Sequence, residues 1–134
     1  MEVNSINKIL VDSTILIDFS RGHEEAIEFL DHSRENDGEM AISVISSMEL
    51  IIGCRDKVDL QKTQKFLSEF EIIDISIPIS RKTYQLIIQY SKSHGLVIPD
   101  AFIAGTALEE NLKLVTSNVR HFEMISGVTI QKPY

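Results

Sequence analysis

Residues Lys8-Ile-Leu-Val-Asp12 form a short apolar run, rich in branched side chains, that stops abruptly on an acid. A strand buried on both faces has this appearance, because nothing along it needs to alternate with solvent. Outward from it, Ser13 to Phe19 suits a short helix. His23 to Glu35 suits a longer one, with Ala26, Ile27, Leu30 and Arg34 along one face and Asp37-Gly38 as its stop. Glu39 to Ser43 reads as a second strand. From Val44 to Cys54 the positions Val44, Ile45, Met48, Ile51 and Ile52 keep helical spacing, which weakens at Gly53. Val58 to Phe70 predicts another amphipathic helix through Leu60, Phe66, Leu67 and Phe70, and Ile72 to Ile75 a short strand, after which Pro78 interrupts the chain. Ser80 to Ser93 is helical through Tyr84, Ile87, Ile88 and Tyr90 and ends at His94-Gly95. A helix opens at Pro99 and runs to about Asn111, followed by strands at Leu112 to Thr116 and Gly127 to Ile130. Strands separated by helices of this length imply βαβ units. The expectation is an α/β fold with a central parallel β-sheet flanked by helices on both faces and a ligand crevice at the carboxyl ends of the strands.

The chain has 134 residues without an internal repeat or flexible linker, enough for one domain spanning 1–134 and too few for two. A 43% hydrophobic share beside 25% charged residues places it among globular rather than disordered chains. Thirteen Lys and Arg against 20 Asp and Glu leave a formal charge of −7. That balance excludes a protein that coats nucleic acid by charge alone, which is normally basic. It suits a bound divalent cation, a basic partner, or nothing beyond solubility. The single cysteine, Cys54, has no internal disulfide partner, and no Cys/His spacing resembles a zinc site, so a reducing, cytoplasmic setting is expected. The first eight residues, Met1 to Lys8, lack a basic start and an unbroken apolar stretch, and no run approaches the roughly 18 apolar residues of a membrane span.

Most acids fall on polar helix faces, but a few fall at joints between a strand and the next helix. Asp12 closes the first strand, Glu49 lies within the helix after the second, Asp100 lies in the first turn of the helix opened by Pro99, and Asn118 follows the strand ending at Thr116. In a parallel sheet Asp12, Glu49 and Asn118 share the carboxyl-terminal edge, and a helix start there would bring Asp100 to the same crevice. Carboxylates crowded there repel one another unless a proton or cation neutralises them, and oxygen-rich clusters suit Mg²⁺ or Mn²⁺. Such a cation activates water and stabilises charge on a phosphoryl oxygen, so metal-assisted phosphodiester hydrolysis is a natural chemistry for the crevice. Each residue also has a purely structural explanation. Asp12 before Ser13-Thr14 has the form of a helix cap, Ser46-x-x-Glu49 that of a capping box, Asp100 that of a helix-dipole partner, and Asn118 that of a turn residue.

Taken in order, the segments resemble the PIN-domain ribonucleases, especially the VapC-like toxins of bacterial and archaeal toxin-antitoxin pairs. Val11-Asp12-Ser-Thr-Ile-Leu-Ile-Asp18 is similar to the family's opening strand and first acid, and Ile42-Ser-Val-Ile-Ser-Ser-Met-Glu49-Leu-Ile-Ile-Gly53 to its second motif. Ile98-Pro-Asp100-Ala-Phe-Ile-Ala104 resembles the third, and Leu114-Val-Thr116-Ser-Asn118-Val-Arg-His121-Phe122 the fourth. The resemblance implies a Mg²⁺- or Mn²⁺-dependent endoribonuclease that assembles as a homodimer and has a cognate antitoxin. By motif, Asp12 and Asp100 are the principal metal ligands, Glu49 completes the acidic set directly or through water, and Asn118 stands where many relatives carry aspartate. Thr116 lines the crevice and Asp18 is a polar neighbour.

The remaining polar residues carry less. His23, His32, His94 and His121 show no i, i+4 pairing and no HExxH frame, so none is assigned to metal, and His121-Phe122 is assigned to packing or the turn. Arg21, Arg81 and Arg120 are candidates for RNA phosphates or plain surface residues. Two other readings compete. A phosphotransfer domain also gathers aspartates at strand ends, but Asp12-Ser-Thr14 lacks the second aspartate of a DxD signature. A catalytically silent PIN-like module would bind RNA or protein, with Asn118 as the mark of decay.

Overall fold

The inner strands of the sheet alternate their side chains between two separate cores. The structure, a computed structural model, describes residues 8–36 and 38–134; Asp37 of the expected Asp37-Gly38 stop and the segment 1–7 lie outside the described residues. In chain order the elements are β1 (Lys8–Val11), α1 (Ser13–Ser20), α2 (Glu24–Glu35), β2 (Glu39–Ser43), α3 (Val44–Ile52), α4 (Lys57–Leu67), β3 (Glu71–Ile73), α5 (Ile77–His94), α6 (Ile98–Glu109), β4 (Lys113–Val115), a 3₁₀ turn (Val119–His121) and β5 (Ile130–Gln131). The sheet order is β3-β2-β1-β4-β5 and every neighbouring pair is parallel. β1 is central, with Leu10 beside Ala41 on one side and Leu114 on the other.

Because successive strand residues point to opposite faces, Leu10, Ala41 and Leu114 pack with Ile79, Leu86 and Tyr90 of α5 and Ala101, Ile103 and Ala104 of α6. Val11, Met40, Ile42 and Val115 pack on the other face with Ile15, Leu16, Leu30, Leu50 and Leu67 of α1 to α4. Helices therefore cover both faces, as expected. No helix among the described residues is long and apolar enough to cross a membrane.

Several boundaries and faces differ from the sequence reading. Pro78 opens α5 instead of interrupting the chain: the helix begins at Ile77, three residues before the expected Ser80, because proline's missing amide costs nothing in a first turn and Ser76 caps Ile79 N–H. β3 starts at Glu71 and ends at Ile73, and β5 is only Ile130–Gln131, since Gly127 at φ +89 belongs to a turn. In α2, Ala26 and Leu30 are buried but Arg34 is exposed and pairs with Glu69 at 2.6 Å. In α3 the buried residues are Ser46, Ser47 and Leu50, while Met48 and Ile52 face outward. A helix that is apolar nearly all round has no single hydrophobic face to read, and small serines fit where elements approach closely. In α5, Tyr84 and Ile88 are likewise exposed and Ile79, Thr83, Leu86 and Tyr90 are inside.

Candidate active site

Asp12 occupies the N-cap position of α1, but its side chain makes no cap hydrogen bond. Its backbone N–H donates to Val115 O at 2.9 Å, which continues the β1–β4 pairing one residue further and seats the side chain at the strands' carboxyl edge. The carboxylate is 3% exposed, and its Oδ2 accepts from Thr14 Oγ1 at 2.9 Å and from Thr116 Oγ1 at 2.8 Å. Among the described residues no hydrogen bond reaches Oδ1. Helix capping thus fails as an account of Asp12: the two threonines fix its orientation, and one oxygen is left for something else.

Glu49 is not part of a capping box. Ser43 is the N-cap of α3, accepting from Ile45 N–H at 3.1 Å, so Ser46 lies inside the first turn with its hydroxyl buried and unpartnered among the described residues. Partial burial raises the Glu49 carboxyl above its ordinary value, the Ser13 hydroxyl pulls it down, and the charges of Asp12 and Asp100 push it up again. Asp100 lies in the first turn of α6 and is also raised, by burial first and by Asp12 last, against a lowering contact from His121. Glu49 therefore feels the charge of both aspartates, and Asp100 that of Asp12.

The loop after β4 closes the site. Thr116 is fully buried, and its Oγ1 accepts from the Asn118 N–H at 2.9 Å while donating to Asp12. The Asn118 amide nitrogen stands 3.2 Å from each ring nitrogen of His121, and His121 Nδ1 is 2.9 Å from Asp100 Oδ2. A carboxylate only accepts, so Nδ1 carries the proton. A polar chain thus runs Asp12, Thr116, Asn118, His121, Asp100. His121 keeps its expected place in the turn, where its N–H donates to Asn118 O, and it also reaches Asp100; Thr14 joins the site with no sequence signal of its own. Asp18 lies away from this chain, accepting from the Tyr134 hydroxyl at 2.7 Å. The only sequence signal for His121 is its place three residues after Asn118, one turn of a 3₁₀ helix.

Among the described residues no group of three or more His, Cys, Asp or Glu side chains is placed to hold a metal ion together. The donors that are present are hard carboxylate oxygens, with a free oxygen on Asp12 and mutual repulsion for a cation to relieve. They suit Mg²⁺ or Mn²⁺, which binds through one or two carboxylates and keeps several waters.

A small parallel sheet with acids gathered at the carboxyl edge of its central strands is the architecture of a PIN domain. The PIN domain family matches residues 9–127, and the chain belongs to that family. It is 38% identical over 117 residues to ribonuclease VapC10 of Mycobacterium tuberculosis, covering 87% of this chain and 86% of that one. Among solved structures it is similar to a toxin-antitoxin complex from Klebsiella pneumoniae, at 34% identity and a TM-score of 0.76 over 94% of this chain and 98% of that one. It is similar also to VapBC2 from Rickettsia felis bound to a DNA fragment from its promoter, at 28% identity and a TM-score of 0.78 over 92% and 97% of the two chains.

Proposed function

We propose that this chain is a Mg²⁺- or Mn²⁺-dependent endoribonuclease and the toxin of a toxin-antitoxin pair, acting in the cytoplasm as one domain along residues 1–134. The observation that carries the reading is Asp12, a buried residue at a helix start whose carboxylate makes no cap bond and is held by two threonine hydroxyls, with one oxygen free of hydrogen bonds among the described residues. The ribonuclease and toxin-antitoxin relatives support the substrate and the partner. Asp12 and Asp100 would hold the cation, Glu49 would hold one of its waters or bind directly, and Asn118 would complete the catalytic set. When bound, the cation supplies an activated water and stabilises charge on the phosphoryl oxygen. Thr14 and Thr116 keep Asp12 from turning, and the charges of Asp12 and Asp100 beside Glu49 are what a cation would offset. The chain would pair as a homodimer and be silenced by an antitoxin that covers the acidic crevice.

The test is direct. Antitoxin-free protein incubated with structured RNAs and Mg²⁺ should release fragments that disappear with EDTA and with Asp12→Asn. Cleavage that survives either treatment would sink the mechanism, and no cleavage across a broad RNA set would favour the silent binding module.

A further inference from the structure

Two carboxylates face the crevice with the same asymmetry. Asp12 has its Oδ2 tied by Thr14 and Thr116, and Asp100 has its Oδ2 tied by His121 at 2.9 Å. Among the described residues the Oδ1 of each is free of hydrogen bonds. The tie on Asp100 is built into the fold. Phe122, next in the chain, is fully buried, and the 3₁₀ turn closes through His121 N–H to Asn118 O at 3.1 Å and Phe122 N–H to Val119 O at 3.0 Å. The ring itself is steered by Asn118. Its amide nitrogen is equidistant from Nδ1 and Nε2, and an in-plane approach at that separation would collide with Cε1, so the amide lies over the ring face. Both ring nitrogens therefore keep their in-plane directions, one toward Asp100 and one outward.

We infer that His121 is a positioning residue for Asp100: its Nδ1–H holds Oδ2 so that Oδ1 alone is offered to the cation. This rests on the metal-site reading above and deepens it, because it makes both principal ligands one-oxygen donors. That pattern suits a small octahedral ion that keeps its waters and disfavours Ca²⁺, which takes bidentate carboxylates readily. Asn118 then acts on the metal through His121 rather than by binding it.

The test measures Mn²⁺ binding, not cleavage, by calorimetry and electron paramagnetic resonance on the antitoxin-free full chain. His121→Ala should weaken Mn²⁺ about tenfold, as loss of a residue that orients a metal ligand typically does. His121→Asn, whose amide nitrogen falls near the place of Nδ1, should recover most of that loss. Wild-type affinity in His121→Ala, or an equal loss in both variants, overturns the role. Asp12→Asn in the same titration separates the two levels. If it abolishes binding while His121→Ala binds normally, only the positioning role fails; if it too binds normally, the metal site fails and takes the positioning role with it. Thermal melts of each variant distinguish lost binding from lost folding, and a folded His121→Asn with His121→Ala-like affinity counts against the role.

Discussion

Asp12 and Asp100 show how acids in a crevice are oriented by hydrogen bonds from threonine hydroxyls and a histidine. Each has an oxygen occupied by a neutral donor or a histidine, and burial and mutual charge lift Asp100 and Glu49 above their ordinary values of 3.8 and 4.5. The folded, metal-free chain therefore holds protons that the unfolded chain releases, so these two groups cost stability as pH rises from those ordinary values through the raised ones. Asp100→Asn removes part of that cost and keeps an acceptor for His121. In EDTA its melting temperature should exceed wild type by a few degrees at neutral pH, and the gap should shrink as the pH falls toward 3.8. A variant that melts at or below wild type throughout would show that the His121 contact outweighs the repulsion. The acids themselves were legible in the sequence because they break apolar runs. Thr14 and His121 were not, because a hydroxyl or an imidazole becomes informative only when its partner is known.

At the scale of elements, α6 carries Asp100 and is placed by close contact with α5. Gly105 makes that contact possible: a Cβ there would stand 2.6 Å from Thr83 Oγ1, which is buried and donates to Ile79 O at 2.8 Å. Gly105→Ala should destabilise by about 1–3 kcal/mol of overpacking, offset in part by the roughly 1 kcal/mol that alanine gains in a helix. Chemical denaturation measures the net loss. Thr83→Ala in the same chain should restore part of it, and strictly additive costs would refute the contact. The sequence marked six helices and five strands within a few residues, because caps, glycines and prolines act locally. It did not single out the inward faces of α3 and α5, because Met48, Ile52, Tyr84 and Ile88 satisfy helical periodicity yet are exposed. Periodicity identifies a helix, whereas the neighbours that pack on it select its buried stripe.

For the whole molecule the charge of −7 has a location as well as a size. Part of it is concentrated where β1 and β4 end, so a cation bound there should stabilise the fold by mass action. Mg²⁺ at a hundredfold excess over its dissociation constant should add about 2.7 kcal/mol, read as a higher melting temperature in wild type and no change in Asp12→Asn. A rise of equal size in both would mean that Mg²⁺ acts on the general surface charge.

Local periodicity, turn chemistry and the cost of burying charge are enough to set the alternation of strands and helices, the parallel sheet and the strand-end acids. The strand order β3-β2-β1-β4-β5 and the polar chain from Asp12 to Asp100 come instead from packing between distant segments. Thr116 and Asp12 are 104 residues apart, and a hydrogen bond across that interval is set by which strands lie side by side, a property of the packed sheet and of no local stretch of chain.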